Sequence, residues 1–346
     1  MKAGSSKSYL SRLDRIQYPE IESVLEGVDR PLWSVMIPTY NGTKYLEQTL
    51  RSVLDQDPGV DHMQIEVIDD CSTSDDPETL VKEIGQGRIS FFRQPQNVGQ
   101  IENWNTCIQR ACGYWVQTLH QDDIVTPGFY RCLQLGIDAA PDIGAAFCRH
   151  RYIDEHNENL FLSLLEQENP GILANWLMLI GVMQRVQFPS IVIKRSTFEK
   201  LGGFCPQARS VADWEMWKRI AVHYPIWYEP QVLACFRLHS ASESSRLIQT
   251  GTNVADTRRA IAISNSYLPS SIASTITRQA HEYYAIDAID RARNLINQGN
   301  SPAAFNQIRE ALKCSCSLSV MRSLARLLKN NGEQLLFNIY QSKFSH

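Results

Sequence analysis

The stretch WSVMIPTYNG, residues 33–42, decides the fold, because an apolar run changes there into polar residues and glycine. Its apolar first half predicts a strand that Pro38 stops, and the segment after Gly42 has apolar residues near one face of a helix. A second apolar run, residues 65–68, predicts the next strand and ends in Asp69-Asp70. Apolar bursts that alternate with helical segments in this way are typical of a mostly parallel sheet covered by helices.

Two pairs of neighbouring aspartates follow apolar runs, and they are Asp69-Asp70 and Asp122-Asp123. We expect both pairs in the crevice outside the carboxyl ends of the strands, where open α/β sheets bind ligands. Like charges held close together raise each other's pKa unless a cation or hydrogen-bond donors compensate. The two pairs therefore predict a site for a divalent ion and a phosphorylated ligand, namely a nucleotide.

The alternation of strands and helices continues to about residue 150 and then becomes less regular. The first half predicts strands at 88–93, 114–119 and 143–148, and helices near 77–84, over 97–112 and from Thr126-Pro127. Residues 150–245 predict a helix from Ile172, a strand at 190–194, a helix from Val211 and strands near Ile226 and Leu233. Beyond about residue 255 glycine is scarce and helical periodicity dominates, which predicts a separate helical tail.

Within the tail, residues 281–312 resemble one helix–turn–helix repeat of the tetratricopeptide kind, with its turn at 299–302. One such repeat cannot bury its own apolar face. It must therefore pack on the rest of the chain or on a second subunit, and the sequence leaves both open.

The composition is that of a globular protein with a sizeable core. The 346 residues are 43% hydrophobic, and the net charge of −3 comes without a basic stripe, so no nucleic acid partner is expected. The nine cysteines form no CxxC pair, which argues against a zinc ribbon or a thioredoxin-like site. Scattered cysteines within apolar stretches predict free thiols and a reducing compartment.

No segment predicts export or a membrane span. Residues 1–30 lack the continuous apolar core of a secretory signal. The strongest apolar run, residues 172–183, is too short to cross a bilayer and predicts a buried helix. We therefore expect a cytoplasmic protein, and a peripheral position at the inner face of a membrane stays open.

Several motifs occur in the order and at the spacing of the family 2 glycosyltransferases, and together they resemble that family over roughly residues 32–240. The motifs are Ser34–Gly42, Val67–Ser72, Asn97–Gly99, Gly113–Val116, Asp122-Asp123, Phe129, Gly202–Phe204 and Asp213–Trp217. The resemblance implies a GT-A-like fold, a doubly wound mixed sheet flanked by helices, here with a C-terminal all-helical extension. It also implies an enzyme that uses a nucleoside diphosphate sugar and a divalent cation, Mn²⁺ or Mg²⁺.

The second acidic pair is the expected metal site. A hard cation with oxygen ligands neutralises a diphosphate and assists its departure. By the resemblance Asp123 is the metal ligand, and Asp122 orients the ribose or holds the ion through water. The alternative is that the pair only caps the helix near Thr126, since carboxylates are stabilising at a helix N-terminus.

The resemblance assigns the nucleotide to residues after the first two strands. Asp70 corresponds to the family aspartate that accepts hydrogen bonds from the base, and its alternative is an Asx-turn that shapes the Cys71 loop. Base and ribose are expected to contact the residues Pro38, Thr39, Tyr40, Asn41 and Asn97.

Asp213 is the candidate for the base that takes the proton from the acceptor hydroxyl, because inversion at a sugar carbon needs such a carboxylate. It matches the second residue of the family's Glu-Asp pair, while Ala212 stands at the first. Ser210–Asp213 also fits a helix capping box, which is the structural alternative. Glu215 lies two residues further along the same helix and is only a substitute candidate.

A late Arg-x-His element, Arg237 and His239, resembles the family element that reaches the diphosphate or the metal. Besides Ala212, two further positions depart from the family pattern. Gln121 stands where an acidic residue two before the metal ligand is common, and Trp104 stands where the family frequently has an arginine. A cation for the diphosphate must then come from elsewhere, for which Arg237 is the candidate.

The sequence therefore predicts an inverting, metal-dependent glycosyltransferase that moves a sugar to a hydroxyl of a saccharide or glycolipid acceptor, in glycan or polysaccharide synthesis. Three parts are predicted. Residues 1–30 form a helical N-terminal extension, and residues 31–250 form a glycosyltransferase domain with a nucleotide half, 31–150, and an acceptor half, 151–250. Residues 255–346 form a helical tail that could join subunits. The alternative is a non-catalytic sugar-binding or scaffolding subunit. Ala212 and Gln121 stand where the family has acidic residues, and such replacements are expected in a subunit that has lost its activity. Motifs of P-loop and dinucleotide enzymes are absent from the sequence.

Overall fold

A computed structural model describes residues 16, 18–27, 29–239 and 243–329. Their contacts divide the chain into two compact units. The first contains the residues up to Trp176, Arg185–Pro206 and Met216–Leu238, and the second contains Leu177–Gln184, Gln207–Glu215 and the chain from His239 onward. Each unit is thus made of three separate segments of the chain, whereas the sequence predicts domains that follow one another along the chain.

The first unit is built on one mixed sheet of ten strands, in the order β3-β2-β1-β4-β9-β6-β10-β5, with β7 beside β6 and β8 beside β10. The strands are β1 Trp33–Thr39, β2 Met63–Asp69, β3 Ser90–Arg93, β4 Trp115–Thr118, β5 Ile124–Val125, β6 Ala145–Ile153, β7 Asn159–Leu162, β8 Gly171–Ile172, β9 Ile191–Lys194 and β10 Ile226–Arg237. The half made of β3, β2, β1 and β4 is parallel, while β9 is antiparallel to both of its neighbours.

Seven helices of the described residues lie between the strands or immediately before β10. They are α1 Thr43–Leu54, α2 Pro77–Gly85, α3 Gln100–Arg110, α4 Phe129–Ala139, α5 Trp176–Val182, α6 Arg195–Leu201 and α7 Ala212–His223. Two short 3₁₀ helices, Phe188–Ser190 and Pro206–Val211, complete the series. On α1 the buried side chains are Tyr45, Leu46, Thr49, Leu50 and Val53, which is the face that the sequence predicts.

The core of the first unit lies between the sheet and its helices. All seven residues of β1 are buried, as expected for a parallel strand that is covered on both faces. Apolar residues of β1, β2, α1 and α4 share one continuous buried cluster with Trp115 of β4. This core fixes the strands whose ends carry the candidate site.

The structure corrects several predicted elements. Pro38 does not stop β1, because its nitrogen faces the β4 side of the strand and pairing with β4 has already ended at Met36. Thr126-Pro127 precedes α4 instead of opening it, since Gly128 is the N-cap with a φ of 93°. The predicted strands near Ile226 and Leu233 are one strand, β10, which register shifts interrupt.

The apolar run 172–183 is also not a single helix. Ile172 belongs to β8, which pairs with β10, and the helix begins only at Trp176 and has seven residues. At the N-terminal extension, the described residues up to Arg30 contain no helix, and residues 1–15 lie outside the described residues. The extension is therefore not helical where the structure describes it.

The second unit is helical. Its long helices are α8 Glu243–Thr250, α9 Thr252–Ser264, α10 Ser270–Asn297 and α11 Ser301–Cys314, and residues 318–329 are also helical. Alanine and isoleucine side chains of α10 and α11 share a buried cluster. The turn between these helices carries Asn300 as an N-cap that accepts the N–H of Ala303, followed by Pro302 in the first turn. The predicted helix–turn–helix pair is therefore confirmed, while the predicted end of the tail, residues 330–346, lies outside the described residues.

None of the described helices combines the length and the apolar character that crossing a bilayer requires.

Burial of His150 in β6 should make stability depend on pH. Burial lowers the pKa of His150 to about 4, from the ordinary 6.5, and its Nε2 has no hydrogen-bond partner. As pH falls below about 6.5 the unfolded chain takes up a proton first, so stability is lost between pH 6.5 and 4 by ~3 kcal/mol from this group. Urea unfolding of His150→Gln should show a shallower pH dependence over that range. The exposed His156→Gln should keep the wild-type slope, and an unchanged slope in His150→Gln would contradict the assignment.

Candidate active site

Three loops meet at the carboxyl edge of the parallel strands. Strand β1 pairs with β2 on one side and with β4 on the other, and all three run in the same direction. Their last residues are Thr39, Asp69 and Thr118. The loops that follow these strands carry the first acidic pair and the second acidic pair, as the sequence predicts.

Gln121 ties the loop after β4 to the loop after β1. Its Oε1 accepts a hydrogen bond from the Thr39 hydroxyl at 2.5 Å and another from the Tyr40 N–H at 2.9 Å. The Gln121 side chain also lies against Gly42, where a Cβ would come within 1.9 Å of it. Only glycine fits at position 42 with this arrangement. Gln121, which stands where the family commonly has an acidic residue, thus has a structural role. Its amide oxygen accepts the two hydrogen bonds that a carboxylate oxygen could also accept.

Asn41 ties the loop after β1 to the loop after β2. Its φ is 49°, in the left-handed region that asparagine tolerates better than most residues. Its Oδ1 accepts the N–H groups of Thr73 and Ser74, at 2.9 and 3.0 Å. Its own N–H donates to the Ser72 hydroxyl at 2.8 Å. The three loops are therefore linked by side chains of Gln121 and Asn41.

The two aspartates of the first pair have different partners. Asp69 is fully buried and accepts bonds from the Ser72 N–H and hydroxyl and from Arg93 Nε, the last at 2.7 Å. It is Asp69, and not Asp70, whose carboxylate shapes the Cys71 loop, by accepting the N–H three residues further on. The alternative role that the sequence offers for Asp70 is therefore filled by its neighbour.

Asp70 instead holds the loop that precedes α3. Its Oδ1 accepts the Val98 N–H at 2.7 Å, and its Oδ2 accepts the Gly99 N–H at 3.0 Å. The exposed Asn97 donates through Nδ2 to the Asp70 carbonyl at 3.2 Å. Burial raises the pKa of Asp70, and the two backbone bonds act in the opposite direction. Each carboxylate oxygen keeps a second lone pair that could accept from a ligand.

The second acidic pair forms a cluster with His120. One donor atom from each of His120, Asp122 and Asp123 lies within 4.8 Å of the others, and this is the group of possible metal ligands found among the described residues. Asp123 is buried, and its Oδ1 accepts the Arg237 N–H at 2.9 Å. Its Oδ2 is buried without a hydrogen-bond partner. Burial raises the pKa of Asp123 well above its usual range, and Asp122 raises it further.

A divalent cation fits this cluster. A buried carboxylate oxygen without a donor is unfavourable unless a cation or a proton reaches it. Two carboxylates and an imidazole are also a common set of protein ligands for divalent metals. The unpartnered Oδ2 of Asp123 is therefore the observation in favour of a metal at this place.

Aromatic rings hold His120 in place. The imidazole stacks on Trp104 with 5.3 Å between ring centroids and an interplanar angle of 22°. Phe188 lies on the imidazole with a centroid separation of 4.2 Å. Burial lowers the pKa of His120 to about 4, so the ring is neutral at pH 7. Trp104, which departs from the family pattern, thus packs against the histidine beside the acidic pair.

Arg237 holds the turn that carries the second acidic pair. Its Nε donates to the Asp122 carbonyl at 2.8 Å, and its other nitrogens donate to the Asp154 carbonyl and to Gln48 Oε1, each at 3.0 Å. The guanidinium also lies over the Tyr45 ring, 4.4 Å from its centroid. These bonds use three of its five N–H groups, and the residue is buried, so its main contact here is with the turn itself.

Asp213 belongs to the second unit. It lies in the first turn of α7 and is half-buried, and its Oδ2 accepts Gln184 Nε2 at 2.6 Å. The hydroxyl of Ser210 donates to Asp256, and α7 begins two residues after Ser210. Ser210 therefore does not act as the N-cap that the capping-box alternative requires. His239 also belongs to the second unit, where its carbonyl accepts the Ser245 hydroxyl.

Most of the predicted site residues lie on the linked loops or strand ends of the first unit. They are Pro38, Thr39, Tyr40, Asn41, Asp70, Asn97, Asp122, Asp123 and Arg237. His120 was not among them, although its place two residues before an acidic pair, at the end of a strand, could have pointed to it. Asp213 and His239 are described within the second unit.

Comparisons with known proteins agree on the class of this chain. Residues 34–202 match the model of the glycosyl transferase family 2. An uncharacterized protein of Mycobacterium tuberculosis, MT1568, is 28% identical over 260 residues, which are 71% of this chain and 80% of that protein. TuaG of Bacillus subtilis is named as a glycosyltransferase for teichuronic acid biosynthesis. It is 37% identical over 95 residues, which are 27% of this chain and 37% of TuaG.

Solved structures share the fold at low sequence identity. Residues 1–349 of S. aureus TarS, in complex with UDP-GlcNAc, superpose with a TM-score of 0.62 at 15% identity, over 89% of this chain and 87% of that one. The mannosyltransferase PcManGT of Pyrobaculum calidifontis, in complex with GDP-Man and Mn²⁺, gives a TM-score of 0.57 at 16% identity, over 98% and 94% of the two chains. The likeness extends the match beyond the sheet to most of the chain.

Proposed function

Because the chain is a family 2 glycosyltransferase with a GT-A type sheet, we propose that it is an inverting, divalent-metal-dependent enzyme. It moves a sugar from a nucleoside diphosphate sugar to a hydroxyl of a saccharide-type acceptor. The observation that carries the proposal is that Asp123 is buried and its Oδ2 has no hydrogen-bond partner. Asp123 lies on one of the linked loops that follow the three parallel strands. A cation bound there would face a diphosphate in the crevice where such sheets bind their ligands.

The nucleotide is proposed to bind along the loops that Gln121 and Asn41 link. Tyr40 is 44% exposed and so is available to contact a base or ribose, while Pro38 and Thr39 are buried. The remaining lone pairs of Asp70 and the exposed amide of Asn97 can hydrogen-bond the base edge. Because backbone and side-chain bonds fix these loops before the ligand arrives, little ordering is needed on binding.

Asp122 and Asp123, with His239 as a further candidate, would hold the metal, and Arg237 would position them. When bound, the cation would neutralise charge that develops on the departing diphosphate. The protein's own contribution is to fix the turn. The Thr49 Oγ1 lies 2.8 Å from the carbonyl oxygens of both Gln121 and Asp123, so its single O–H is shared between them, and Arg237 holds the carbonyl of Asp122. The side chains of the pair are thus set by a rigid backbone.

Asp213 is proposed to take the proton of the acceptor hydroxyl. The acceptor oxygen forms a bond to the anomeric carbon while the bond from that carbon to the diphosphate oxygen breaks, which inverts the configuration. The proton moves to the carboxylate of Asp213, and the electron pair of the broken bond leaves with the diphosphate. Gln184 positions the carboxylate through its 2.6 Å bond, and its own backbone N–H is held by the Tyr284 hydroxyl at 2.9 Å.

The relatives indicate the broad kind of product. TuaG is named for teichuronic acid biosynthesis, and TarS and PcManGT were solved with UDP-GlcNAc and GDP-Man. We propose glycan or polysaccharide synthesis for this chain, with a saccharide or glycolipid acceptor. All nine cysteines are free thiols in the structure, which supports the proposal of a cytoplasmic location.

A thermal-shift panel tests the proposed donor class. UDP, GDP, dTDP and their sugar conjugates are added with Mn²⁺, with Mg²⁺ or with EDTA. We expect one nucleotide family to raise the melting temperature by several degrees with a cation and by much less with EDTA, because a ligand at 100 times its Kd adds about 2.7 kcal/mol. Adenosine diphosphate is the matched control for charge.

Release of free sugar distinguishes an enzyme from a binding subunit. An active glycosyltransferase usually transfers its sugar slowly to water, so the nucleotide sugar that stabilises the protein should be hydrolysed when the metal is present. No stabilisation by any diphosphate would refute the proposed donor, whereas stabilisation without hydrolysis or transfer would favour the binding subunit.

A further inference from the structure

We propose that a ring nitrogen of His120 is a third protein ligand of the divalent cation, so that the site prefers transition metals to Mg²⁺. The proposal rests on the proposed function only in that a metal binds at the acidic pair. His120 was not among the residues that sequence motifs assign. Its donor atom and those of Asp122 and Asp123 lie within 4.8 Å of one another.

The histidine is available to bind a cation. Its Nε2 is buried and has no hydrogen-bond partner, and the same is true of Oδ2 of Asp123. A buried nitrogen and a buried carboxylate oxygen that both lack partners, in one cluster, are costly unless a ligand satisfies them. A cation within reach of both atoms would satisfy them together, whereas a bound water could donate to each of them but would leave a carboxylate charge without compensation.

The ring is also held still. Trp104 stacks on one side with an interplanar angle of 22°, and Phe188 lies 4.2 Å away between centroids. Trp104 in turn packs against Phe188 and Phe204, at 4.6 and 5.4 Å. An imidazole without a hydrogen bond to orient it would otherwise rotate, so the aromatic neighbours take the place that a hydrogen-bonding partner has in many metal sites.

The backbone joins the three residues into one rigid turn. The Asp123 N–H donates to the His120 carbonyl at 3.1 Å, which closes the turn. Thr49 of α1 and Arg237 of β10 hold its remaining carbonyls. A His-x-Asp-Asp turn fixed from both sides can present an imidazole and carboxylates together, as a metal site requires.

A nitrogen ligand changes which metals bind. Carboxylates alone suit Mg²⁺ and Mn²⁺, whereas an added imidazole favours the later transition metals, and affinity rises from Mn²⁺ to Co²⁺. We therefore expect the wild-type chain, with UDP or GDP present, to bind Co²⁺ at least tenfold more tightly than Mg²⁺ in calorimetry. His120→Phe should bind Co²⁺ at least tenfold more weakly than wild type, and its Mg²⁺ affinity should change less than threefold. Phenylalanine keeps the aromatic packing and removes the nitrogens.

Pulsed EPR of bound Mn²⁺ provides a direct readout that does not depend on activity. The wild-type spectrum should show coupling to ¹⁴N, which changes on ¹⁵N-histidine labelling, and the coupling should vanish in His120→Phe and in His120→Asn. The exposed His62→Phe is the matched control and should keep it. His239→Phe tests the other candidate histidine and should also keep the His120 coupling.

The outcomes are distinguishable. If wild type binds Mn²⁺ without nitrogen coupling, or if the coupling survives in both His120 variants and disappears in His239→Phe, the proposal is overturned while the metal-dependent function stands. If no divalent cation binds to wild type with any nucleotide, the metal dependence of the proposed function fails together with this inference. Should the variants not fold, the wild-type nitrogen coupling with and without His239→Phe still decides.

Discussion

Asp213→Asn is expected to lower kcat for sugar transfer by about 10³-fold or more and to leave nucleotide binding within twofold of wild type. General base catalysis contributes about 10²- to 10⁴-fold, and an amide cannot take up the proton of the acceptor hydroxyl. Asparagine keeps the volume and one oxygen of the side chain. Gln184, whose Oε1 is buried without a partner, can turn its amide and accept from the new NH₂ group.

This isosteric change separates chemistry from folding. Transfer is measured with saturating donor and acceptor, and the Kd for the nucleoside diphosphate is measured by calorimetry. The control is Asp290→Asn, an exposed residue of α10 in the same unit whose ion pair with Arg293 spans 3.0 Å, and it should keep full activity. Normal turnover in Asp213→Asn would show that another group, such as Glu215, takes the proton.

Asp123→Ala is expected to weaken metal-dependent binding of the nucleoside diphosphate by about 100-fold, while the weak binding seen with EDTA stays unchanged. The variant removes the buried oxygen that lacks a partner and, with it, the proposed attachment of the cation. Loss of a ligand costs more than loss of a neighbouring oriented group, so Arg237→Lys should weaken binding less. Calorimetry with Mn²⁺, Mg²⁺ and EDTA provides the comparison.

The same variant should hardly destabilise the protein. It leaves the buried Arg237 N–H without its acceptor at 2.9 Å, which costs about 1–3 kcal/mol, but it also removes a buried acidic group whose pKa is raised by burial, and this gain offsets the cost. The melting temperature without ligands should therefore stay close to that of wild type, as is common for residues kept for function. The exposed Asp138→Ala on α4 is the control and should change neither property. Full metal-dependent binding by Asp123→Ala would place the metal elsewhere.

The strands that carry the site were predictable from the sequence. Strands β1, β2 and β4 lie within two residues of their predicted limits, because each is almost entirely buried and therefore carries a cluster of apolar residues. The acidic pairs were predictable for the same reason, since they mark where the chain leaves the sheet. Pro38 was misread, because whether a strand tolerates proline depends on which side of it has a neighbour, and that is a tertiary property.

Less of the irregular half could be predicted. Strand β8 has two residues and forms only because β10 is beside it, so no local periodicity signals it. The proposed role of His120 depends on the rings of Trp104 and Phe188, which pack against its imidazole, and the sequence identifies Trp104 only as a position where the family frequently has an arginine. A single histidine near a strand end is commonly structural, and here its clustering with Asp122 and Asp123 and its unpartnered Nε2 distinguish it, which only the structure shows.

The ties made by Gln121 and Asn41 have a consequence for engineering donor choice. Exchanging one of the three loops for that of a relative would leave the Thr39 hydroxyl, the Tyr40 N–H or the amides of Thr73 and Ser74 without acceptors. A chimera should therefore work only when the segments after β1, β2 and β4 are transplanted together as a cassette, with glycine kept at position 42. Sugar and base preference would then be inherited as one trait, and natural variants should change these segments jointly.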